Sequence, residues 1–390
     1  MHFIVRYCAC DRVSRPVVLF LQATDPAIYP PLINAAWLLS EAGLHSTFLS
    51  SPHADNELAM PEIPGLTIEK IPTRPTFAVD RMSYIAYIRR AVGLARKLRP
   101  RAIYASDPMG ALPGLIASHL SGTPLVYHEH DSPSDSRQLH SLVRCARSFA
   151  IRTANIVVFP NAARAEAARA DIRFDESRLM IVWNTPRIAE IPAKAVRDDV
   201  FTLYYHGSIN EQRLPMAVAE AVSQFGRQVR LRIAGYDTSP GRRHLSDMIE
   251  RYGKWHEGGL IDSLGQIKRE DLLTAAATAD AGLALMPVAS DDINMVSMVG
   301  ASNKAFDYMA AGLPIIVSDL AEWKTMYVAP GHGFAANPSD AKSLAAVIRI
   351  LLDDPINRRA IGSRNQARVA REWNYDTHFR AVVNALKAMR

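Results

Sequence analysis

The chain has 390 residues, 48% of them apolar and 22% charged, the ordinary balance of a soluble globular protein and too long for one ordinary core. No apolar run approaches the length that spans a bilayer, and Cys8, Cys10 and Cys145 make neither a disulfide framework nor a spaced zinc site. The formal charge of +6 permits attraction to anionic lipid or phosphorylated substrates, but no basic run with interleaved aromatics points to nucleic acid.

The start, "MHFIVRYCACDRVSRP", is a poor signal peptide because Arg6 and Asp11 interrupt its short apolar run. With so few cysteines, a reducing cytosol is the expected location. "RPVVLFLQ" then reads as a strand, "DPAIYPP" breaks it, and "LINAAWLLSEAG" has helical spacing ending at Gly43. The alternation continues through "LHSTFLSS", "SYIAYIRRAVGLARKLRP", "RAIYASD", "PMGALPGLIASHLSG", "TPLVYHEHD", "RCARSFAIRTAN" and "IVVFPN". Two prolines and several charges over residues 184 to 199 mark a boundary, after which strands and helices alternate again. The tail from Ser339 is mostly helical. This pattern predicts an α/β protein of two doubly wound domains with a ligand cleft between them.

Four places carry candidate chemistry. In "YYHGSINEQRLP", Gly207 would let backbone N–H groups approach an anion, and Arg213 offers a two-pronged contact to phosphate; a tight turn with a solvated arginine is the plainer alternative. In "NKAFDYMAAGLPIIVSD", Lys304 opens a helix whose stripe of Phe306, Met309, Ala310 and Leu313 is apolar. Asp307, one turn on, can accept from two adjacent hydroxyls, as in a ribose, or pair with Lys304. In "YHEHD", strand alternation puts His128 and His130 on one face and Glu129 and Asp131 on the other. A zinc site there would need ligands that are not visible, and polar residues at a strand end explain the run equally. Asp107 in "YASDPMG" ends a neighbouring strand. The basic helix around "RRAVGLARKLRPR" suits either a membrane surface or water.

Residues 200 to 375 resemble the nucleotide-binding domain of retaining GT-B glycosyltransferases, the bacterial polysaccharide and lipopolysaccharide sugar transferases of the family 4-like group. The likeness rests on ordered pieces: "YYHGSINEQR", "LRIAGY", "IDSLGQIKREDLLTAAATADAGLALMP", "NKAFDYMAAGLPIIVSD", "GHGFAANPSDAKSLAAVIRILLDDP" and "EWNYDTHF". The first domain resembles the family more loosely, through "LINAAWLLSEAGLHSTFL" and "TPLVYHEHD". The resemblance implies a GT-B fold: an acceptor domain over 1–190, a nucleotide-sugar domain over 191–372, and a last helix over 373–390 that packs back on the first domain.

It further implies a nucleotide-diphosphate sugar as donor, no other cofactor, and a glycan or lipid-linked acceptor, with a peripheral membrane role open. Asp307 would bind the donor ribose. Arg213 and Lys304 would face the diphosphate, with Gly207, Ser208 and Asn303 beside them, and Tyr236 and Ile267 would lie near the base. His130 and Asp131 would stand where relatives carry a His-Glu pair, with His128 and Asp107 on the acceptor side. The chain departs from the family at Val299, where a glutamate is usual, at Ser208, where a basic residue is usual, and at Asp307, a shortened glutamate. No Asp-x-Asp signature suggests a metal. A non-catalytic nucleotide-sugar-binding subunit and a nucleotide-sugar epimerase are the alternatives.

Overall fold

A strand covered by helices on both faces has no solvent side, so it reads as a continuous apolar run, and parallel pairing follows. The computed structural model describes residues 15–51, 60–71, 81–133, 139–197, 199–253 and 260–389. The first sheet holds β1 (Val17–Leu21), β2 (His45–Ser50), β3 (Leu66–Lys70), β4 (Ala102–Ser106), β5 (Leu125–His128), β6 (Ile156–Phe159) and β7 (Leu179–Ile181). Its order is β3-β2-β1-β4-β5-β6-β7. The second holds β8 (Phe201–Ile209), β9 (Val229–Asp237), β10 (Ile261–Gly265), β11 (Ala281–Ala284), β12 (Ile315–Ser318) and β13 (Gly333–Ala336), in the order β10-β9-β8-β11-β12-β13. Described pairings are parallel in both sheets. Each order reverses once, beside β1 and beside β8, and the carboxyl ends next to such a reversal are where ligands of these sheets bind.

Aromatic packing fixes the middle of the first sheet: Phe20 lies 4.3 Å from Phe48 and 4.6 Å from Tyr104, ring centre to ring centre. The chain leaves that sheet after Ile181 and enters the second at Phe201. It then returns. The helix Tyr375–Ala388 places Tyr375, Phe379, Val382 and Leu386 in one buried cluster with Val18, Phe20 and Tyr104. Those positions are four and three apart, one face of a helix. The linker receives the same helix, because Tyr375 donates to the Pro186 carbonyl and Asp376 accepts from the Ile188 N–H.

The two domains also meet through one loop, residues 297–301. Asn161 of the first domain donates to the carbonyls of Ser297 (3.0 Å) and Val299 (2.7 Å). Asn184 donates its backbone N–H to Gly300 and its side chain to Ala301. Gly300 has φ +78 and packs on Trp183 and the Pro160 carbonyl, so a side chain there would collide as well as strain.

In the second sheet, Gly207 lies opposite Gly235. A Cβ on Gly235 would stand 1.9 Å from the Gly207 oxygen, a backbone atom that cannot swing away. Gly235→Ala should therefore push β8 and β9 apart at their carboxyl ends, at about 1–3 kcal/mol or more. Thermal melting should fall by several degrees; an unchanged melting temperature would mean that the two strands do not sit this close.

Candidate active site

The end of β8 carries the first part of the site. Asn210 accepts from the N–H groups of Gln212 and Arg213 through its side-chain oxygen, a local turn that brings the chain round after the strand. The Arg213 side chain points inward and lies 2.7 Å from the Met286 sulfur. Lys304, at the start of the helix Lys304–Ala310, lies over Gly207: a Cβ on that glycine would be 3.1 Å from Nζ. Glycine is required here by the lysine as much as by its own φ of +118. Lys304 is buried, and burial followed by the nearby Arg213 charge lowers its pKa to about 7. Burial lowers Arg213 as well. Among the described residues neither cation has a carboxylate within ion-pair distance. Two like charges held this way favour an anion between or beside them.

Asp307 departs from the sequence expectation. It neither pairs with Lys304 nor presents an open carboxylate to a ribose. Arg269 donates to both of its oxygens at 2.6 Å, Asn303 donates to Oδ2 at 2.6 Å, and His206 Nε2 stands 3.2 Å from Oδ2. The carboxylate is wholly buried, with Oδ2 taken by Arg269 and Asn303 and Oδ1 by Arg269. Burial opposes its charge, but Arg269 and then His206 outweigh that and hold its pKa down to about 2. Arg269 also donates through Nε to Glu190 in the linker at 2.9 Å, and Glu190 accepts from the Arg187 N–H. Asn303 thus serves Asp307 in this structure.

The first domain supplies the opposite wall. β5 ends at His128, and His130 follows with its ring 3.7 Å from that of His128, on one face as the alternation predicted. His128 Nδ1 meets the Tyr104 hydroxyl at 2.6 Å. His130 is buried, yet among the described residues neither of its ring nitrogens has a hydrogen-bond partner. Burial, then the Arg164 charge, drives its pKa down to about 3, so the imidazole is neutral at pH 7. Glu129 points the other way, into a bidentate pair with Arg147 and a hydrogen bond from Tyr127. Asp107 sits at φ +60, where β4 turns into the helix Asp107–Ser121, and accepts from the His130 and Asp131 N–H groups. Burial and then Asp131 push its pKa up. Asp131 is exposed, 3.8 Å from the buried Arg164, and its charge acts on Arg213 across the cleft.

Of the remaining predicted residues, Ser208 lies in β8, Tyr236 is 46% exposed at the end of β9, and Ile267 is partly buried in the loop after β10. Sequence reasoning missed Arg269, whose "REDLL" context reads as a solvated first helical turn, and Arg164. Arg164 donates to the His130 carbonyl at 2.7 Å and to the Ser297 carbonyl at 3.2 Å, so one side chain joins both walls. Among the described residues no group of three or more His, Cys, Asp or Glu is placed to hold a metal, and no helix is long and apolar enough to cross a membrane.

Residues 34–185 match the glycosyl transferase 4-like domain family, and residues 215–384 match the glycosyl transferase-like family. The chain is 27% identical over 128 residues to a GDP-mannose-dependent monoacylated alpha-(1-6)-phosphatidylinositol monomannoside mannosyltransferase of Corynebacterium glutamicum, spanning 33% of this chain and 32% of that protein. It is 22% identical over 348 residues to a glycogen synthase of Mycobacterium tuberculosis, spanning 83% of this chain and 80% of that one. HepE of Anabaena, solved with UDP-glucose, superposes with a TM-score of 0.69 at 18% identity, over 95% of this chain and 99% of that one. Sucrose-phosphate synthase from Thermosynechococcus elongatus gives 0.67 at 16% identity, over 96% and 98%. At such identities the solved structures speak for the fold.

The Asp307–Arg269 pair makes a stability prediction. Asp307→Asn removes the two-pronged partner of the buried Arg269 and leaves it Glu190 alone, which should cost about 3 kcal/mol, the low end for breaking a buried pair. Because the folded pKa of Asp307 lies below its unfolded value, the pair's contribution is full above about pH 5 and fades as pH falls toward 2. Urea midpoints of wild type and variant should differ widely at pH 7 and converge on acidification. A gap that stays constant would remove Asp307 from the ion pair.

Proposed function

We propose, because this chain belongs to the GT-B glycosyltransferases, that it moves a sugar from a nucleotide-diphosphate donor to a glycan or lipid-linked acceptor with retention of configuration. The observation that carries this reading is the pair Arg213 and Lys304 at the reversal of the second sheet, two cations without a carboxylate at ion-pair distance among the described residues. The donor diphosphate takes that place. The UDP-glucose bound to the structural relative from Anabaena supports a nucleotide sugar here.

In the reaction the bond from the anomeric carbon to the diphosphate oxygen breaks while the acceptor oxygen bonds to the same carbon. The acceptor proton passes to the leaving phosphate on the same face, which preserves configuration. Negative charge grows on the diphosphate as this happens, and Arg213 and Lys304 stabilise it in a site shielded from water, with no metal required. His130, neutral and with open ring nitrogens, hydrogen-bonds a sugar hydroxyl and orients it. Tyr236 and Ile267 flank the base. Asp307 acts through Arg269 at the floor of the site. Val299 leaves the sugar without the usual carboxylate, so contacts from the 299–302 backbone take over that duty.

Two positions favour a second reading, a nucleotide-sugar binder without turnover: Val299 and Ser208 stand where the family carries a glutamate and a basic residue. Incubation with a panel of labelled nucleotide sugars separates the two, since only the enzyme releases nucleoside diphosphate.

Arg213→Ala and Lys304→Ala should each lower turnover by roughly a hundredfold or more and weaken donor binding less, because their charges matter most as the bond breaks. The Lys304 pKa of about 7 adds a pH signature: the amine is charged below that value and neutral above it. Wild-type kcat/KM should therefore decline above about pH 7, and Lys304→Ala should flatten that limb. Turnover within about twofold of wild type in both variants would sink the mechanism.

A further inference from the structure

A groove separates the helices Ser141–Thr153 and Ala162–Asp171 on the outside of the first domain, enclosing about 970 Å³. Its floor is small, Ala167 and Ala168. Along one wall Arg144, Ser148 and Arg152 follow at intervals of four, so they line one side of the helix. Arg144 and Arg152 stand about 12 Å apart at the rise of an α-helix. Neither has an acidic partner among the described residues, unlike Arg147, which is spent on Glu129. Arg164 closes the inner end, satisfied by carbonyl oxygens at 2.7 and 3.2 Å, with Asp131 at 3.8 Å. Among the described residues Asp171 is the one carboxylate in the lining. On the same helix Leu142 (41% exposed) and Phe149 (56% exposed) set apolar surface beside the arginines.

The groove does not end blindly. Its inner end includes Ser132, two residues after His130, and Ile293 of the second domain. Asn294 fixes that corner by accepting from the Ser132 N–H and donating to its carbonyl, at 3.1 and 2.5 Å. A ligand in the groove thus reaches the seam beside the reacting centre.

We propose that this groove binds a phosphate group carried by the acceptor, held between Arg144 and Arg152, while the rest of the acceptor enters the cleft at His130. The proposal rests on the transferase reading, whose acceptor it narrows to a phosphate-bearing one. Guanidinium forks fit phosphate oxygens in pairs, and the apolar flank accommodates the non-polar part of such a molecule. No residue of the donor site is used twice.

Cys145 supplies a local readout, since it is exposed and lines the groove. Its alkylation by iodoacetamide, followed on its own peptide by mass spectrometry, needs no turnover. Inorganic pyrophosphate should slow it about threefold or more at concentrations well above the dissociation constant, because only the empty site reacts. Vesicles containing phosphatidylglycerol should do the same if the phosphate is lipid-borne, with phosphatidylcholine vesicles as the control. Slowing by pyrophosphate assigns a soluble phosphate ester, and slowing by the anionic vesicles alone assigns a lipid. The doubly substituted Arg144→Ala, Arg152→Ala protein should lose the protection, compared as a ratio within each protein. Arg213→Ala with Lys304→Ala should keep it, which separates the groove from the donor site. Protection by neither probe, or protection that survives loss of both groove arginines, overturns the proposal. If the transferase reading alone is wrong, Cys145 is still protected while no nucleotide sugar is consumed.

Discussion

Holding two cations side by side in a buried site is unfavourable until an anion joins them, and the second domain is arranged around that imbalance. Lys304 can lie against Gly207 only because that position has no side chain, and Gly207 stays where it is because Gly235 lets β9 come close. The parallel order supplies the place, beside β8 at the reversal of the sheet. Backbone geometry, glycine and charge therefore act on one spot. Replace the lysine by a neutral residue and the close approach of the glycines has lost its purpose.

The carboxylates are distributed in the opposite sense. Glu129 is given to Arg147, and Asp307 to Arg269, each by two hydrogen bonds. A buried carboxylate without a partner would cost several kcal/mol, so these pairs settle charges that the fold itself has buried. What remains in the buried part of the cleft is positive or neutral, Arg213, Lys304 and the ring of His130, with Asp131 as an exposed carboxylate at its rim. That remainder suits a diphosphate on one wall and a hydroxyl on the other. Arg269 adds a mechanical link, since its third nitrogen reaches Glu190 and so joins the donor-side helix to the linker.

The sequence made the central strands legible because they are buried on both faces and show unbroken apolar runs, as "VVLFL" and "IIVS" do. Edge strands gave weaker signals. β3, "LTIEK", is half-exposed and mixes charge into its run, and β7 is three residues long. At the site, period-two alternation correctly put His128 and His130 on one face, since local geometry alone decides that. It could not reveal that Asp307 meets Arg269, 38 positions earlier, because that contact depends on how two helices pack. Spacing left a ribose or Lys304 as the partner; the structure gives the lysine to Gly207 and the aspartate to a residue whose own neighbourhood looks like solvated surface. Arg164 was hidden for the same reason, lying in an alanine-rich helix with nothing local to mark it.

The seam explains how Val299 can occupy a position where a carboxylate is usual. The loop 297–301 is held by its carbonyl oxygens: Asn161 takes those of Ser297 and Val299, Asn184 those of Gly300 and Ala301, and Arg164 shares the first. Such bonds do not depend on the side chain at 299, which is left to pack as an apolar group. They also come from the first domain, so the loop that leads into Lys304 takes its position from the partner wall. Arg164 then ties that loop to the His130 carbonyl, so one buried guanidinium helps fix the position of the His130 wall relative to the loop that leads into Lys304. Opening the cleft at this corner would strand that charge among carbonyls it no longer reaches.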